Sequence, residues 1–326
     1  MKGPRGVILM YHRVAELSTD PWALSVTPEH FGEHLDVIRK RTSPLKVGDL
    51  GRAVERGEVL PSSVAVTFDD GYSDNFYNAH PLLQRFDVPA TIFLATSFLG
   101  SKREYWWDDL DRLFLQPGTL PPQLRLTLNE KEEIWDLGGA ADYSNADFQP
   151  NRSWRTEQPS PGMRQELYRS IWQTMQRMPA EDQDGVIAAL VDWAGVPSGA
   201  RPGCRPMTID EVVELAQTGL IEVGAHTMTH PVLSAIAPDR QRDEIQRSKA
   251  RVEEITRCAV PSFAYPYGDV SEVSVDALKD AGLRAACTTK PGCVQADADP
   301  LRMPRMHVGD WDGAKFEQRL SEWFET

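Results

Sequence analysis

Seven short apolar runs rich in β-forming residues recur along the chain, at 6–12, 64–68, 90–95, 220–225, 262–265, 284–288 and about 303–308. Most are too continuously apolar to be half exposed, so both faces of each strand must be covered, as in a parallel sheet. Helical patterns separate many of them. Thr27, followed by Pro28 and Glu29, reads as the cap and first turn of a helix with Phe31, Leu35 and Ile38 as its apolar stripe. Thr208-Ile209-Asp210-Glu211 resembles a capping box and opens a helix running to Gly219. Residues 238–257 form a long charged helix with Ile245, Val252 and Ile255 on one side, and 271–281 form another that ends at Gly282. This alternation predicts an α/β fold, a distorted parallel (β/α) barrel of about seven strands.

The chain has 326 residues, roughly twice the usual single-domain length. The strand–helix spacing breaks only between 101 and 205. Helical patterns appear there at 107–115, 164–178 and 180–193, around a polar stretch at 138–162 rich in Gly, Pro, Asn and Ser. The expectation is one barrel domain over 1–326 with a helical insertion at 101–205 that contains a mobile loop, and not two tandem domains. With 35 Lys+Arg against 48 Asp+Glu, the net charge is −13. That balance disfavours nucleic acid and anionic lipid, both of which need clustered basic residues. The longest apolar runs fall far short of the roughly 20 residues of a membrane-spanning helix, so no transmembrane segment is expected. Lys2 and Arg5 precede an apolar run too short for a signal peptide, and His12-Arg13 follows where a cleavage site would stand. Cytoplasmic localisation is the expectation. Cys204, Cys258, Cys287 and Cys293 form no C-x-x-C pair and are expected as free thiols.

Polar residues gather just after the predicted strands: His12, then Asp69-Asp70-Gly71, His226 and His230, Tyr265-Pro266-Tyr267-Gly268, and His307 on the last strand. In a parallel barrel these ends share one rim, where catalytic sites are built. Asp70, His226 and His230 together make a three-ligand site for a first-row divalent ion, with coordination positions left open. Consecutive side chains diverge, so Asp69 fits better as a general base than as a fourth ligand. The alternative is that Asp69 caps the amides of Asp74 or Asn75. His12 either touches substrate, orients a ligand or is satisfied by a neighbouring strand. Trp106, Trp107, Tyr72 and Trp311 either offer flat faces to a ligand or fill the core. The charged helix at 238–257 reads as a solvated face without a functional role.

Thr67-Phe68-Asp69-Asp70-Gly71, His226-Thr227-Met228-Thr229-His230 and Phe263-Ala264-Tyr265-Pro266-Tyr267-Gly268 resemble the first three motifs of the polysaccharide deacetylases (carbohydrate esterase family 4, NodB-like domain), in the family's order. Ile8-Leu9-Met10-Tyr11-His12-Arg13-Val14 and Tyr105-Trp106-Trp107-Asp108-Asp109-Leu110 resemble a subgroup associated with exopolysaccharide and lipopolysaccharide. The resemblance covers about residues 5–100 and 205–312. It implies metal-dependent removal of an acetyl group from a sugar, with Asp70, His226 and His230 as ligands and Asp69 as base. It also implies that the backbone N–H of Tyr267 helps hold the oxyanion, and that a histidine on a late strand, here nearest to His307, is the general acid. Two positions depart from the pattern. The arginine that family members carry in the third motif is absent, with Ala264 in that region, and Arg305 is expected to supply its charge to Asp69. The fourth motif, an Asp/Trp pair, has no clear counterpart; Asp310-Trp311-Asp312 follows His307 instead of preceding it.

The expected function is hydrolysis of an N-acyl group, acetyl first and formyl next, from an amino sugar in a cell-surface glycan or its precursor. Zinc is the expected ion, with cobalt, nickel or manganese as alternatives. Substrate contacts are assigned to His12, Tyr72, Tyr265, Pro266, Trp107 and Trp311. Two other functions remain open: an amidase acting on a small non-sugar amide, distinguished by a closed pocket, and a sugar-binding pseudoenzyme, distinguished by absence of turnover. Neither the oligomeric state nor the particular sugar is legible.

Overall fold

The computed structural model describes residues 5–325. It separates into two compact units. The first runs to Glu16, then over Leu24–Ser101, and again from Pro206 onward; the second comprises Leu17–Ala23 and Lys102–Arg205.

Seven parallel strands form the body of the first unit's sheet: β1 (Arg5–Tyr11), β2 (Ser63–Phe68), β3 (Ala90–Leu94), β4 (Ile221–Ala225), β5 (Ser262–Ala264), β6 (Ala285–Cys287) and β7 (Met306–His307). Two further two-residue strands join it, Ser43–Pro44 along β2 and Val294–Gln295 antiparallel to β1. Their order across the sheet is β6-β5-β4-β3-β2-β1-β7. The stretch 300–308 bridges the two edges. The amide of Ala286 donates to the Pro300 carbonyl and that of Thr288 to the Met303 carbonyl, while the Val308 amide donates to the Met10 carbonyl. The sheet therefore curls into the expected distorted (β/α) barrel, and all seven sequence-predicted runs coincide with its strands.

Alternation along the strands splits the apolar residues into two sets. Val7, Leu9 and Tyr11 of β1 belong to the cluster that includes Phe31, Leu35 and Ile38 of helix Pro28–Arg41. Ile8, Ala65, Phe93, Ala264, Cys287 and Met303 face inward in a second cluster. Helix Val47–Arg56 contributes Val47, Leu50 and Val54 to that inner cluster. Gly48 allows its close approach, since a Cβ there would fall 2.5 Å from Glu222 Oε2 and 2.8 Å from Pro261.

The second unit contains the three helices expected at 107–115, 164–178 and 180–193 and adds strands that the expectation of a helical insertion did not include. It holds helices Trp106–Phe114, Met163–Met175 and Ala180–Ala194, but also a hairpin of Gln123–Leu128 against Lys131–Asp136. Leu124, Leu126 and Leu128 alternate with exposed residues, and Asn129 and Glu130 take the two left-handed positions of the turn. The stretch expected as a mobile loop is also structured: helix Asn145–Asn151 has a full capping box between Ser144 and Asp147, and Trp154 is buried. The buried Arg164 donates to the carbonyls of Leu113, Gly118, Ala140 and Ala141, tying the end of helix Trp106–Phe114 to the small pairing of Gly118–Thr119 with Asp142–Tyr143. Among the described residues no helix is long and apolar enough to cross a membrane.

One buried titratable group links the barrel to its outer helices. His34 Nε2 donates to the Trp311 carbonyl (2.6 Å), and the Tyr11 hydroxyl donates to His34 Nδ1 (3.1 Å). Its ring stacks on Phe316 at 4.2 Å. Burial lowers its pKa from 6.5 to about 4, outweighing the opposing hydrogen bond to Trp311. The folded state thus prefers neutral imidazole, so this contribution is complete above pH 6.5 and is lost as pH falls towards 4. Denaturant titrations across that window should show a loss on the order of 3 kcal/mol from this group. His34→Gln should flatten that part of the profile, and an unchanged slope would assign it to another group.

Candidate active site

The Asp-Asp-Gly turn follows β2. Asp69 N–H donates to the Tyr11 carbonyl and Gly71 N–H to the Asp69 carbonyl, which closes the turn tightly. Asp70 has a φ of +72° and Gly71 of +86°. A Cβ at Gly71 would lie 2.6 Å from the Leu94 side chain, so both backbone conformation and space require glycine there. The left-handed turn sends the two adjacent carboxylates to different partners.

Asp70 Oδ1 lies 3.5 Å from His226 Nε2 and 3.4 Å from His230 Nε2. One ligand-capable atom from each of the three residues lies within 4.8 Å of the other two, and all three residues are buried. Among the described residues no other group of three His, Cys, Asp or Glu side chains is so arranged. His226 Nδ1 donates to the Ala264 carbonyl at 2.7 Å, which fixes the ring with its Nε2 on the side of Asp70. Burial dominates at His230 and pushes its pKa down to about 3. At His226 burial also lowers the pKa, but the Asp70 hydrogen bond and the charges of Asp69 and Asp70 raise it overall. Asp70 is lowered: burial opposes ionisation, and His226 and His230 outweigh it. A carboxylate and two imidazoles converging in a buried pocket are a donor set that fits a first-row divalent cation.

Asp69 faces the barrel interior and meets Arg305. Nη1 and Nη2 of Arg305 donate to Oδ1 and Oδ2 at 2.7 and 2.6 Å, a two-pronged pair. Arg305 Nε donates to the Thr288 carbonyl, and Nη1 also reaches Thr67 Oγ1. Burial alone would raise the Asp69 pKa, but the charges of Arg305 and His226 prevail and hold it well below the usual carboxylate range. Asp69 is therefore ionised and oriented. The Asp74 and Asn75 amides are not its partners: Asp74 instead accepts from Arg13 Nε and the Val14 amide, and the Asn75 amide donates to the Tyr72 carbonyl.

His12 Nε2 lies 3.9 Å from Asp69 Oδ2. Asn75 Nδ2 donates to the His12 carbonyl and Asn78 Nδ2 to that of Val14, so three side chains of the segment after Asp70 fasten the His12 loop. His307 pairs with Met10 in register and is exposed at the rim, on the same inward face as Arg305 two residues before it. Tyr267 has a φ of +57°, and its ring packs edge-on against His230 at 4.7 Å. At Gly268, φ is +68° and a Cβ would fall 2.1 Å from Thr289 Oγ1.

The aromatic rings expected to stack on sugars are engaged elsewhere. Tyr72 is buried under the Arg13 guanidinium, 4.2 Å from its ring centre. Tyr265 is buried in the outer cluster, with its hydroxyl donating to the Leu301 carbonyl. Pro266 is buried at the start of the Tyr267 turn. Trp107, in the second unit, is buried and stacked on Tyr105 at 4.7 Å. Trp311 packs beside Trp323 and under Lys315 and Arg319. Tyr72, Tyr265 and Trp107 are covered because a large ring gains more by burial than by waiting at the surface, whereas Trp311 is half-buried.

The polysaccharide deacetylase family model matches residues 56–121 and 198–286, stretches that contain Asp69, Asp70, His226, His230 and Tyr267. Over those two stretches the chain is similar to the polysaccharide deacetylase family. His12, Arg305 and His307 lie outside both matched stretches. A Bacillus subtilis protein described as the putative polysaccharide deacetylase YxkH is 30% identical over 97 residues, 29% of this chain and 33% of that protein. The match thus spans about a third of the length of that curated relative. Among solved structures, the Streptococcus pyogenes deacetylase PplD in complex with acetate aligns with a TM-score of 0.60 at 17% identity, over 97% of this chain and 98% of that one. IcaB from Ammonifex degensii aligns with a TM-score of 0.60 at 17% identity, over 100% and 99%. The deacetylase domain of BpsB from Bordetella bronchiseptica gives 0.53 at 18%, over 93% and 96%. At these identities the likeness is one of fold.

Removing one partner of the Asp69–Arg305 pair strands a buried charge. Arg305→Met should destabilise the protein by about 3–5 kcal/mol. The double variant Asp69→Asn, Arg305→Met should recover most of that loss in urea titrations, because no charge is then left unpaired. Strictly additive effects would show that the two groups do not act as a pair.

Proposed function

We propose that this chain is a metal-dependent hydrolase that removes an N-acyl group, acetyl foremost, from an amino sugar of a cell-surface glycan or its precursor. The observation that carries the reading is the juxtaposition on one barrel rim of the buried Asp70, His226 and His230 with a separate carboxylate, Asp69, held ionised by Arg305. A divalent cation, zinc first among the candidates, would be held by Asp70, His226 and His230. Its chemistry when bound is to polarise the scissile carbonyl and acidify the attacking water.

The chain's own groups divide the remaining work. Asp69 takes the proton of the water, and Arg305 fixes which way its oxygens point. A carboxylate whose pKa is held this low is a weak base, which suffices when the proton it receives has already been made acidic. The Tyr267 backbone N–H holds the oxyanion. His307 gives the leaving amine its proton, from the short strand that follows Arg305. His12, 3.9 Å from Asp69 Oδ2, contacts the substrate beside the base.

Acetate release from N-acetylated glucosamine oligosaccharides, measured before and after chelation and with zinc or cobalt restored, tests this reading. Activity should disappear with the chelator and return with the ion. Asp69→Asn should lower kcat by about 10²–10⁴-fold while divalent-ion affinity stays near that of the unaltered chain. Absence of turnover with every divalent ion tried would refute the enzyme. His307→Ala should slow amide substrates by about 10²-fold or more and leave an acetate ester of a good leaving group nearly untouched, since that leaving group needs no proton. Equal losses on both substrates would remove His307 from the acid role.

A further inference from the structure

The five residues from His226 to His230 form a loop outside any helix or strand, and two of them, Thr227 and His230, have left-handed backbones with φ of +65° and +58°. On one side, the carbonyls of Thr227 and Met228 accept from the amides of Thr96 and Ser97 at 3.1 and 2.9 Å. Inside the loop, the His230 amide donates to Thr227 Oγ1 at 3.0 Å. On the other side, the successive amides of Met228 and Thr229 point the same way, which makes the concave N–H pair that favours an anion. A single side chain fills it. Glu244 Oε2 accepts from both amides at 2.8 and 2.9 Å, and Oε1 accepts from the Thr229 hydroxyl at 2.8 Å. Glu244 is buried, on helix Pro238–Thr256.

We infer that Glu244 is a positioning residue for the metal site, setting the separation of His230 from His226 through the loop between them. This rests on the reading of Asp70, His226 and His230 as ligands. Glu244 is hydrogen-bonded to neither imidazole in these contacts; it acts on the two peptides that join them. His226 is fixed independently, by the Ala264 carbonyl on its Nδ1 and by its own amide on the Leu94 carbonyl. His230 gains its place from the loop. Loss of the Glu244 carboxylate would release the Met228 and Thr229 peptides and let His230 drift from Asp70, which it now faces at 3.4 Å. A carboxylate meets the three donors without adjustment. Glutamine can meet them too, with its oxygen on the two amides and its NH₂ donating to the Thr229 hydroxyl.

The test uses the full chain stripped of metal, with zinc titrated against a chromophoric chelator, cobalt followed by its visible spectrum, and the urea midpoint recorded beside both. Glu244→Ala should weaken divalent-ion binding by about 10–100-fold and alter the cobalt spectrum, while Glu244→Gln stays close to the unaltered chain in both. If Glu244→Ala fails to fold, Glu244→Asp carries the test. Its carboxylate is withdrawn by one methylene from the amide pair, and it should lose about tenfold or more in affinity with a midpoint near that of the unaltered chain. A folded Ala or Asp variant with unchanged affinity and spectrum overturns the inference. So does a Gln variant as impaired as Ala, which would assign the effect to charge and not to hydrogen-bond geometry. If the unaltered chain itself binds no divalent ion, the ligand reading falls and the inference falls with it; unchanged affinity in the variants alone leaves that reading standing.

Discussion

The buried pair between Asp69 and Arg305 joins the end of β2 to the stretch that closes the barrel. Arg305 is fully covered, so its charge must be answered inside the protein. Asp69 supplies two acceptors, Thr288 a carbonyl and Thr67 a hydroxyl. The stretch 300–308 has little sheet of its own: Met306 and His307 are its only residues in a regular strand. Its course from β6 to β1 is fixed by a few backbone hydrogen bonds and by this one guanidinium. Barrel closure and the ionisation of Asp69 therefore depend on the same interaction.

The rest of the site is held in strained backbone. Asp70, Thr227, His230 and Tyr267 all have positive φ without being glycine, each at a cost on the order of 1–2 kcal/mol. Such conformations persist where the surroundings over-determine them. At Asp70 the following glycine packs against Leu94 with no room for a side chain, and at Tyr267 the following glycine does so against Thr289. At Thr227 and His230 no glycine relieves the turn, and hydrogen bonds to Thr227 Oγ1 and Glu244 hold it instead. The segment after Asp70 also contains a π-helical turn, Asn75–Ala79, from which Asn75 and Asn78 fasten the His12 loop.

What was legible in the sequence follows from which forces act locally. Continuous apolar runs mark covered strands, so all seven barrel strands and the helices capped by Thr27, Thr208 and Ser271 could be placed. Arg305 was a candidate only through the resemblance: the arginine that the third motif places beside the base is missing, Ala264 stands in that region, and Arg305 lies on the neighbouring rim. The hairpin at Gln123–Leu128 carried its signal in the alternation of Leu124, Leu126 and Leu128, but its Asn129-Glu130 turn lacks the glycine that usually announces one. Glu244 was hidden by its surroundings. Helix Pro238–Thr256 is so rich in charge that it reads as a solvated face, yet Glu244 lies beside Ile245 and one turn before Ser248, on the buried side. The covered aromatics were misplaced for the opposite reason: ring chemistry says what a side chain can bind, while burial is decided by partners distant in sequence.

The division of labour between two consecutive aspartates is itself a product of backbone conformation. Along a regular strand, Asp69 and Asp70 would point to opposite faces of the sheet, one into the barrel and one out towards the helices. The left-handed turn at Asp70 breaks that alternation. Asp69 keeps the inward direction of its strand and meets Arg305; Asp70 is swung over the rim to His226 and His230. Two carboxylates so close would repel if they shared a partner, and each would raise the pKa of the other. Giving each its own cationic or imidazole neighbours lets both remain ionised, so one can receive a proton while the other stays on the histidine pair. A conformation that a strand-forming residue ordinarily avoids is what lets adjacent positions in the chain bring two carboxylates with separate partners to one rim.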